Sequence, residues 1–174
     1  MLGKPLGVGV YSAALKKGKL DAAGYDAMIA STTKLNTPGI ALGTMAGVHA
    51  LTDVTGFGLA GHLLEICRGS GVGAVVDYAR VPLHPGAADL ARQGHFTGAS
   101  GRNWAGYGAD VAIEADEPDL VRTLVTDPQT SGGLLVACAP GDVGDVLDVF
   151  RREGFDSAAD IGTIVPGRST LVVR

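Results

Sequence analysis

Strand-like and helix-like runs follow one another along this chain without a strict strand–helix–strand repeat, and that order constrains the fold more than any other feature. Segments 72–77 and 134–139 are apolar runs of strand length, and 48–52 reads as a short strand end. Segments 21–34, 59–68 and 142–153 carry apolar residues at helical spacing instead. Leu59, Leu63, Leu64 and Cys67 share one helical face, as do Val143, Val146, Leu147 and Phe150. Asp21 is placed to cap the first of these helices, and Gly69-Ser70-Gly71 closes the second. Such an order disfavours a doubly wound parallel sheet. It predicts an α+β fold in which a mixed or antiparallel sheet carries packed helices. The remaining segments complete the expectation. Leu6, Val8 and Val10 alternate and read as a strand over 4–11. Pro38 opens a helix to about residue 47, and further helices are expected at 87–93 and 118–125. A strand is expected at 111–114, a long Gly-rich polar loop at 94–109, and a C-terminal hairpin turning at Pro166-Gly167.

The chain has 174 residues, about one domain's worth, and is long enough to bury a core without disulfide or metal staples. With 46% hydrophobic and 18% charged residues it is not a disordered chain. Its 27 glycines have no period of three, which excludes collagen. Aromatics are only 5%, so the core must be built mainly from Ala, Val, Leu and Ile. The net charge is −4 and no arginine-rich stripe with interleaved aromatics is present, so nucleic acid is not an expected partner. Lys16, Lys17 and Lys19 read as a solvated loop. Cys67 and Cys138 lie far apart without a CxxC, which fits a reducing cytosol, and both read as inert buried thiols. No apolar run reaches the ~18 residues of a membrane span and no secretory signal opens the chain, so the expectation is a cytoplasmic protein with no membrane partner.

Three stretches carry residues suited to chemistry. In Thr52-Asp53-Val54-Thr55-Gly56-Phe57-Gly58-Leu59-Ala60-Gly61, the glycines at 56, 58 and 61 spell G-x-G-x-x-G between a strand and a helix. A dinucleotide site fits this poorly, because Asp53 would repel a pyrophosphate and the further βαβ units are missing. Asp53 makes sense with a cation between it and phosphates: a hard carboxylate holds Mg²⁺ while the metal carries the nucleotide. Backbone N–H groups around Gly56 and Gly58 would favour the anion as well. Equally, Asp53 or Thr55 caps the helix and the glycines permit a tight turn. In Asp127-Pro128-Gln129-Thr130-Ser131-Gly132-Gly133, residues Thr130, Ser131, Gly132 and Gly133 offer hydroxyls and unobstructed amides suited to an anion nest, or to an ordinary turn capped by Asp127. In the third stretch, Arg102 suits a phosphate or a surface carboxylate, and Trp104 suits packing. His49, His62, His84 and His95 have no metal-ligand spacing, and no G-x-S-x-G nucleophile motif occurs.

L-T-D-V-T-G-F-G-L-A-G-H-L-L-E (51–65) and D-P-Q-T-S-G-G-L-L (127–135) resemble two motifs of the selenophosphate synthetase (selenide, water dikinase) family. K-P-L-G-V-G-V (4–10), V-V-D-Y (75–78) and R-N-W-A-G-Y-G (102–108) add support, in the family's order and across essentially the whole chain. The resemblance implies the C-terminal domain of the aminoimidazole-ribonucleotide-synthetase-like (PurM C-terminal-like) fold, occupying 1–174. It implies a magnesium-dependent enzyme that turns ATP, selenide and water into selenophosphate, AMP and phosphate, as a homodimer in its full-length form. The catalytic Cys or Sec and Lys, and most of the ATP site, would lie in an N-terminal domain outside this sequence. No residue here takes those catalytic roles, and the isolated chain is expected to be inactive. By the resemblance Asp53 is the metal residue, with Thr52, Thr55, Gly56, Gly58 and Thr130 to Gly133 shaping the nucleotide-facing turns. Other superfamily enzymes, such as thiamine-phosphate kinase or a hydrogenase maturation factor, and a non-catalytic binding module are the alternatives.

Overall fold

Two small sheets, wrapped by helices, organise the chain in a computed structural model that describes residues 1–174. In order, α1 (Val8–Lys16), α2 (Ala22–Thr33) and α3 (Pro38–Leu42) lead to β1 (Val48–Asp53). Then come α4 (Gly58–Ser70), β2 (Val72–Val76), α5 (Ala87–Arg92), α6 (Gly98–Tyr107), β3 (Val111–Ile113) and α7 (Pro118–Val125). The chain finishes with β4 (Leu134–Cys138), α8 (Val143–Arg152), β5 (Gly162–Pro166) and β6 (Leu171–Val173). β1 and β4 form an antiparallel pair with Asp53 opposite Leu134. The other sheet runs β3-β6-β2-β5, with β5 antiparallel to β2 and the other neighbours parallel. This is the expected α+β class with mixed and antiparallel pairing.

The apolar faces read from the sequence make the core. Leu59, Leu63, Leu64 and Cys67 of α4 pack with Ala74, Val76, Leu135, Leu171 and Val173. Val146, Val149 and Phe150 of α8 cover Leu134 and Val136 of β4. α4 therefore sits against strands of both sheets, and its N-terminus is anchored at the end of β1. Asp21 caps α2 as expected, accepting from Gly24 N at 2.7 Å, and Gly71 ends α4 in the left-handed conformation at φ 66°.

Five expectations are corrected. The stretch 4–11 is not a strand: α1 begins at Val8, because Gly7 turns the chain at φ 117° and the Asp127 carboxylate, far along the sequence, accepts from Gly9 N at 2.9 Å. The 94–109 stretch is not a loop but contains α6, held by side-chain bonds rather than propensity. Ser100 Oγ lies 2.5 Å from Thr126 Oγ1, and Asn103 Nδ2 donates to Thr126 O at 3.0 Å. The C-terminal strands do not form a hairpin: β5 and β6 both pair with β2, one on each side. Finally, Cys138 is only half-buried, whereas Cys67 is fully buried as expected. The helix from Pro38 is also shorter than expected, since it ends at Leu42. No helix is long and apolar enough to cross a membrane.

Candidate functional site

Antiparallel pairing places the outgoing end of β1 beside the incoming end of β4, so the loops at 54–57 and 127–133 meet at one edge. Their backbones are stitched together: Val54 N donates to Gly133 O, and Gln129 N to Thr55 O, both at 2.9 Å. The glycines are explained by this approach. A Cβ on Gly132 would stand 2.0 Å from Val54 O, and one on Gly133 would stand 2.2 Å from Lys4 N. No side chain fits there. Gly58, at φ 69°, is likewise pressed against the backbone of Val125 and Thr126, whereas a Cβ on Gly56 would meet open space. Ser131 holds a left-handed φ of 49°, the single non-glycine residue to do so.

Lys4 fastens the junction. Its ammonium is buried and donates to Ser131 O and Lys34 O at 2.7 Å and to Ser31 O at 3.1 Å. All three of its N–H donors are used. Two of these acceptors belong to the last turn of α2 and its cap, where a cation also complements the helix dipole. Burial pushes the ammonium down from the usual lysine range, with Lys34 acting in the same direction and Asp53 opposing. Asn36 Nδ2 closes the same loop by donating to Gly132 O at 2.8 Å. Beneath it, Asp127 is fully buried and accepts from Gly9 N and, at 2.8 Å, from Gln129 Nε2; its other oxygen, Oδ1, has no partner. Burial pushes its carboxyl up to about 7, against the lowering effect of the bonds from Gln129 and Gly9.

The 54–57 turn is clamped from the other side by α6. Asn103 Nδ2 donates to Gly56 O at 2.8 Å and the Tyr107 hydroxyl to Phe57 O at 2.5 Å. Thr55 Oγ1 lies 3.1 Å from His62 Nε2, and His62 Nδ1 lies 2.9 Å from Glu65 Oε2. The threonine hydroxyl is thus aimed by an imidazole that a carboxylate orients. Thr52 is half-buried on β1 and its hydroxyl reaches only the neighbouring Asp53 O, at 3.4 Å. Asp53, on the opposite face of the strand, is exposed.

The structure therefore brings together Thr52, Asp53, Thr55, Gly56, Gly58 and Thr130 to Gly133. The backbone N–H groups of Thr55, Gly56 and Phe57, and those of residues 130–133, find no acceptor within the chain. No group of three or more His, Cys, Asp or Glu side chains is placed to hold a metal. Asp53 is a single hard oxygen donor beside free amides. Arg102 stays apart, lining a small pocket with Phe57, Arg68 and Tyr107, and Trp104 packs against the core. Residue-type reasoning missed Lys4, Asn103, Tyr107 and Gln129 as site-builders. The signal available was their place in the short motifs at 4–10, 102–108 and 127–135.

The whole chain, residues 1–174, matches the family described as AIR synthase related protein, C-terminal domain. Among curated proteins it is similar to a Burkholderia ambifaria protein named selenide, water dikinase, with 61% identity over 173 residues. Those residues are 99% of this chain and 49% of that protein. Proteins of the same name from Dechloromonas aromatica and Rhizobium meliloti are 56% and 50% identical, again over 99% of this chain and 50% of theirs. The chain thus spans about half the length of the curated relatives it matches. Among solved structures, the hydrogenase maturation protein HypE in complex with ATP superposes at TM-score 0.70 with 18% identity, over 99% of this chain and 45% of that one. Thiamine-monophosphate kinase from Stenotrophomonas maltophilia superposes at 0.59 with 22% identity, over 99% and 50%. At those identities the likeness shows the fold alone. The α4-centred α+β architecture and the full-length match together make the chain a member of the AIR synthase related protein C-terminal domain family.

Proposed function

We propose that this chain is the C-terminal domain of a selenide, water dikinase, which makes selenophosphate, AMP and phosphate from ATP, selenide and water. The observation that carries the reading is 50–61% identity to proteins of that name across 99% of the chain. Residues 1–174 form one domain, and its partner is an N-terminal ATP-binding domain that supplies the catalytic residues. The working enzyme is a cytoplasmic homodimer.

The site residues fit Mg²⁺-ATP at the level of one contributed ligand. Asp53 is an exposed carboxylate, the donor type Mg²⁺ takes, and it has no companion acids to build a complete cage. A Mg²⁺ there would draw its other ligands from phosphates, water and the second domain. Held by Asp53, such an ion would supply neutralisation of phosphate charge, a central demand of phosphoryl transfer. This chain's own part is positioning. Thr55, Gly56 and Thr130 to Gly133 carry backbone N–H groups without an acceptor in the chain, the kind of donor a phosphate would take. Thr52 borders the same turn, and Gly58 lets α4 start hard against Thr126. Asp53 would thereby link catalysis to the closing of one domain on the other. The test is Asp53→Ala and Asp53→Asn in the two-domain enzyme, assayed for selenide-dependent AMP formation. Loss of at least ~100-fold in kcat, relieved in part by raised Mg²⁺, is expected; unchanged turnover overturns the assignment.

A further inference from the structure

The polar contacts behind Thr55 fix more than the position of its hydroxyl: they fix the direction of its proton. Thr55 Oγ1 lies 3.1 Å from His62 Nε2, and His62 Nδ1 lies 2.9 Å from Glu65 Oε2. His62 and Glu65 are three residues apart on α4 and so share a face. The imidazole is shut in, with its side chain 10% exposed against 54% for Glu65. The Phe57 ring lies against it, centroids 5.7 Å apart. The backbone of Thr55 is held from the other side, its carbonyl accepting from Gln129 N at 2.9 Å and from Gly58 N at 3.1 Å.

A carboxylate only accepts, so the nitrogen facing Glu65 carries a proton. A neutral imidazole has one N–H and one bare nitrogen, so with Nδ1 protonated Nε2 is the acceptor. The Thr55 hydroxyl is then the donor to Nε2. Its one proton is committed, while the oxygen keeps its lone pairs. No other hydrogen bond within the chain reaches that oxygen. A hydroxyl in this state cannot donate to a phosphate oxygen. It faces a cation, or the O–H of a water that a cation holds. The turn therefore carries two polarities. The backbone N–H groups of Thr55, Gly56 and Phe57 have no acceptor in the chain and suit an anion. The side-chain oxygens of Asp53 and Thr55, two residues apart, suit a cation.

We propose that Thr55 Oγ1 is a second oxygen for the Mg²⁺ that accompanies ATP, accepting from the ion's water shell beside Asp53, and that His62 and Glu65 are positioning residues that hold it in the accepting state. Mg²⁺ gives up water reluctantly and keeps several waters when a single carboxylate and phosphates bind it. An acceptor just outside the ion's own ligands therefore has a donor to meet, and partners of that kind commonly change metal affinity by ~10–100-fold. Glu65, exposed and away from the turn, acts only through His62. The identity of the cation rests on the reading of the chain as part of a Mg²⁺-ATP enzyme; the direction of the Thr55 proton does not.

The proton is read by ¹⁵N NMR of the histidine rings at about pH 8, without ATP or selenide. Expected for His62 are a protonated Nδ1 and a bare Nε2, with the Nε2–H tautomer gaining in Glu65→Ala. A protonated Nε2 in the parent, as tautomer or imidazolium, overturns the proposal and leaves the enzymatic reading untouched. The cation is read in the two-domain enzyme with Mn²⁺, an EPR-visible substitute for Mg²⁺, and a non-hydrolysable ATP analogue. Thr55→Val keeps the shape and removes the hydroxyl, and should weaken Mn²⁺ binding beside the nucleotide by at least ~10-fold. Thr55→Ser should restore it, and the affinity for nucleotide without metal should be unchanged in both. Equal loss with metal-free nucleotide would put the hydroxyl on the nucleotide, and unchanged Mn²⁺ affinity in Thr55→Val would take it off the cation; either overturns this proposal alone. A parent that binds no Mn²⁺ with the nucleotide overturns the enzymatic reading and this proposal with it.

Discussion

Asp127 makes the junction beneath the two motif loops sensitive to pH. It is buried, caps α1 through Gly9 N, and leaves Oδ1 without a partner. Its folded-state carboxyl titrates at about 7 against 3.8 when unfolded, with burial the dominant cause. Between those values the folded chain holds a proton that the unfolded chain does not. The contribution is therefore fully present below pH 3.8 and is lost as pH rises through about 7. One pH unit in that window corresponds to ~1.4 kcal/mol, and the whole window of about three units to a ceiling of ~4 kcal/mol. Asp127→Asn is nearly isosteric and does not titrate; its amide oxygen still accepts from Gly9 and Gln129. Urea unfolding of both proteins from about pH 4.5 to about pH 8.5 isolates the effect, because other titrations cancel in the difference. The stability of the parent minus that of the variant should fall by ~1.4 kcal/mol per unit to about pH 7 and then level. A difference that stays flat, or rises, refutes the account of Asp127 as a desolvated acid.

Lys4→Met should cost ~2–4 kcal/mol, since the acceptors at Ser31, Lys34 and Ser131 lose a charged donor; the melting temperature should drop by roughly 5–15 °C. Gly132→Ala should be more damaging than Gly56→Ala, because its Cβ would meet Val54 O at 2.0 Å while Gly56 faces open space; parallel melts of the two variants decide this. Asn103→Ala removes the donor to Gly56 O and Thr126 O and should destabilise by ~1–3 kcal/mol, with faster amide exchange confined to the 54–57 turn and α6. His62→Ala frees the Thr55 hydroxyl; in the two-domain enzyme it should raise the KM for ATP more than it lowers kcat. Equal loss in both would show that the histidine does not act through Thr55.

Local pattern was enough wherever a helix buries one stripe of its own residues. α4 and α8 were legible because Leu59, Leu63, Leu64, Val146 and Phe150 recur at helical spacing and are the residues that fill the cores. β4 was legible as an apolar run with a glycine-rich entrance, and the two strongest motifs marked the two loops that meet at the end of the β1–β4 pair. What the pattern of residues could not contain was long-range partnership. The alternation at Leu6, Val8 and Val10 reads as a strand until Asp127, 118 residues on from Gly9, arrives to cap a helix there. α6 holds glycine at 98, 101 and 106 and has poor intrinsic propensity; it is a helix because Ser100, Asn103 and Tyr107 bond to α7 and the 54–57 turn. The C-terminal strands looked like a hairpin because they are neighbours in sequence, yet β2 offers each an edge and takes the place between them. The same holds for the site. Asp53 and the glycine motifs were visible one by one, but their meeting depends on the register of β1 against β4 and on a buried lysine near the start of the chain. Apolar periodicity is a property of each segment alone; hydrogen bonds between distant segments belong to the folded chain, and they decide where the two loops face each other.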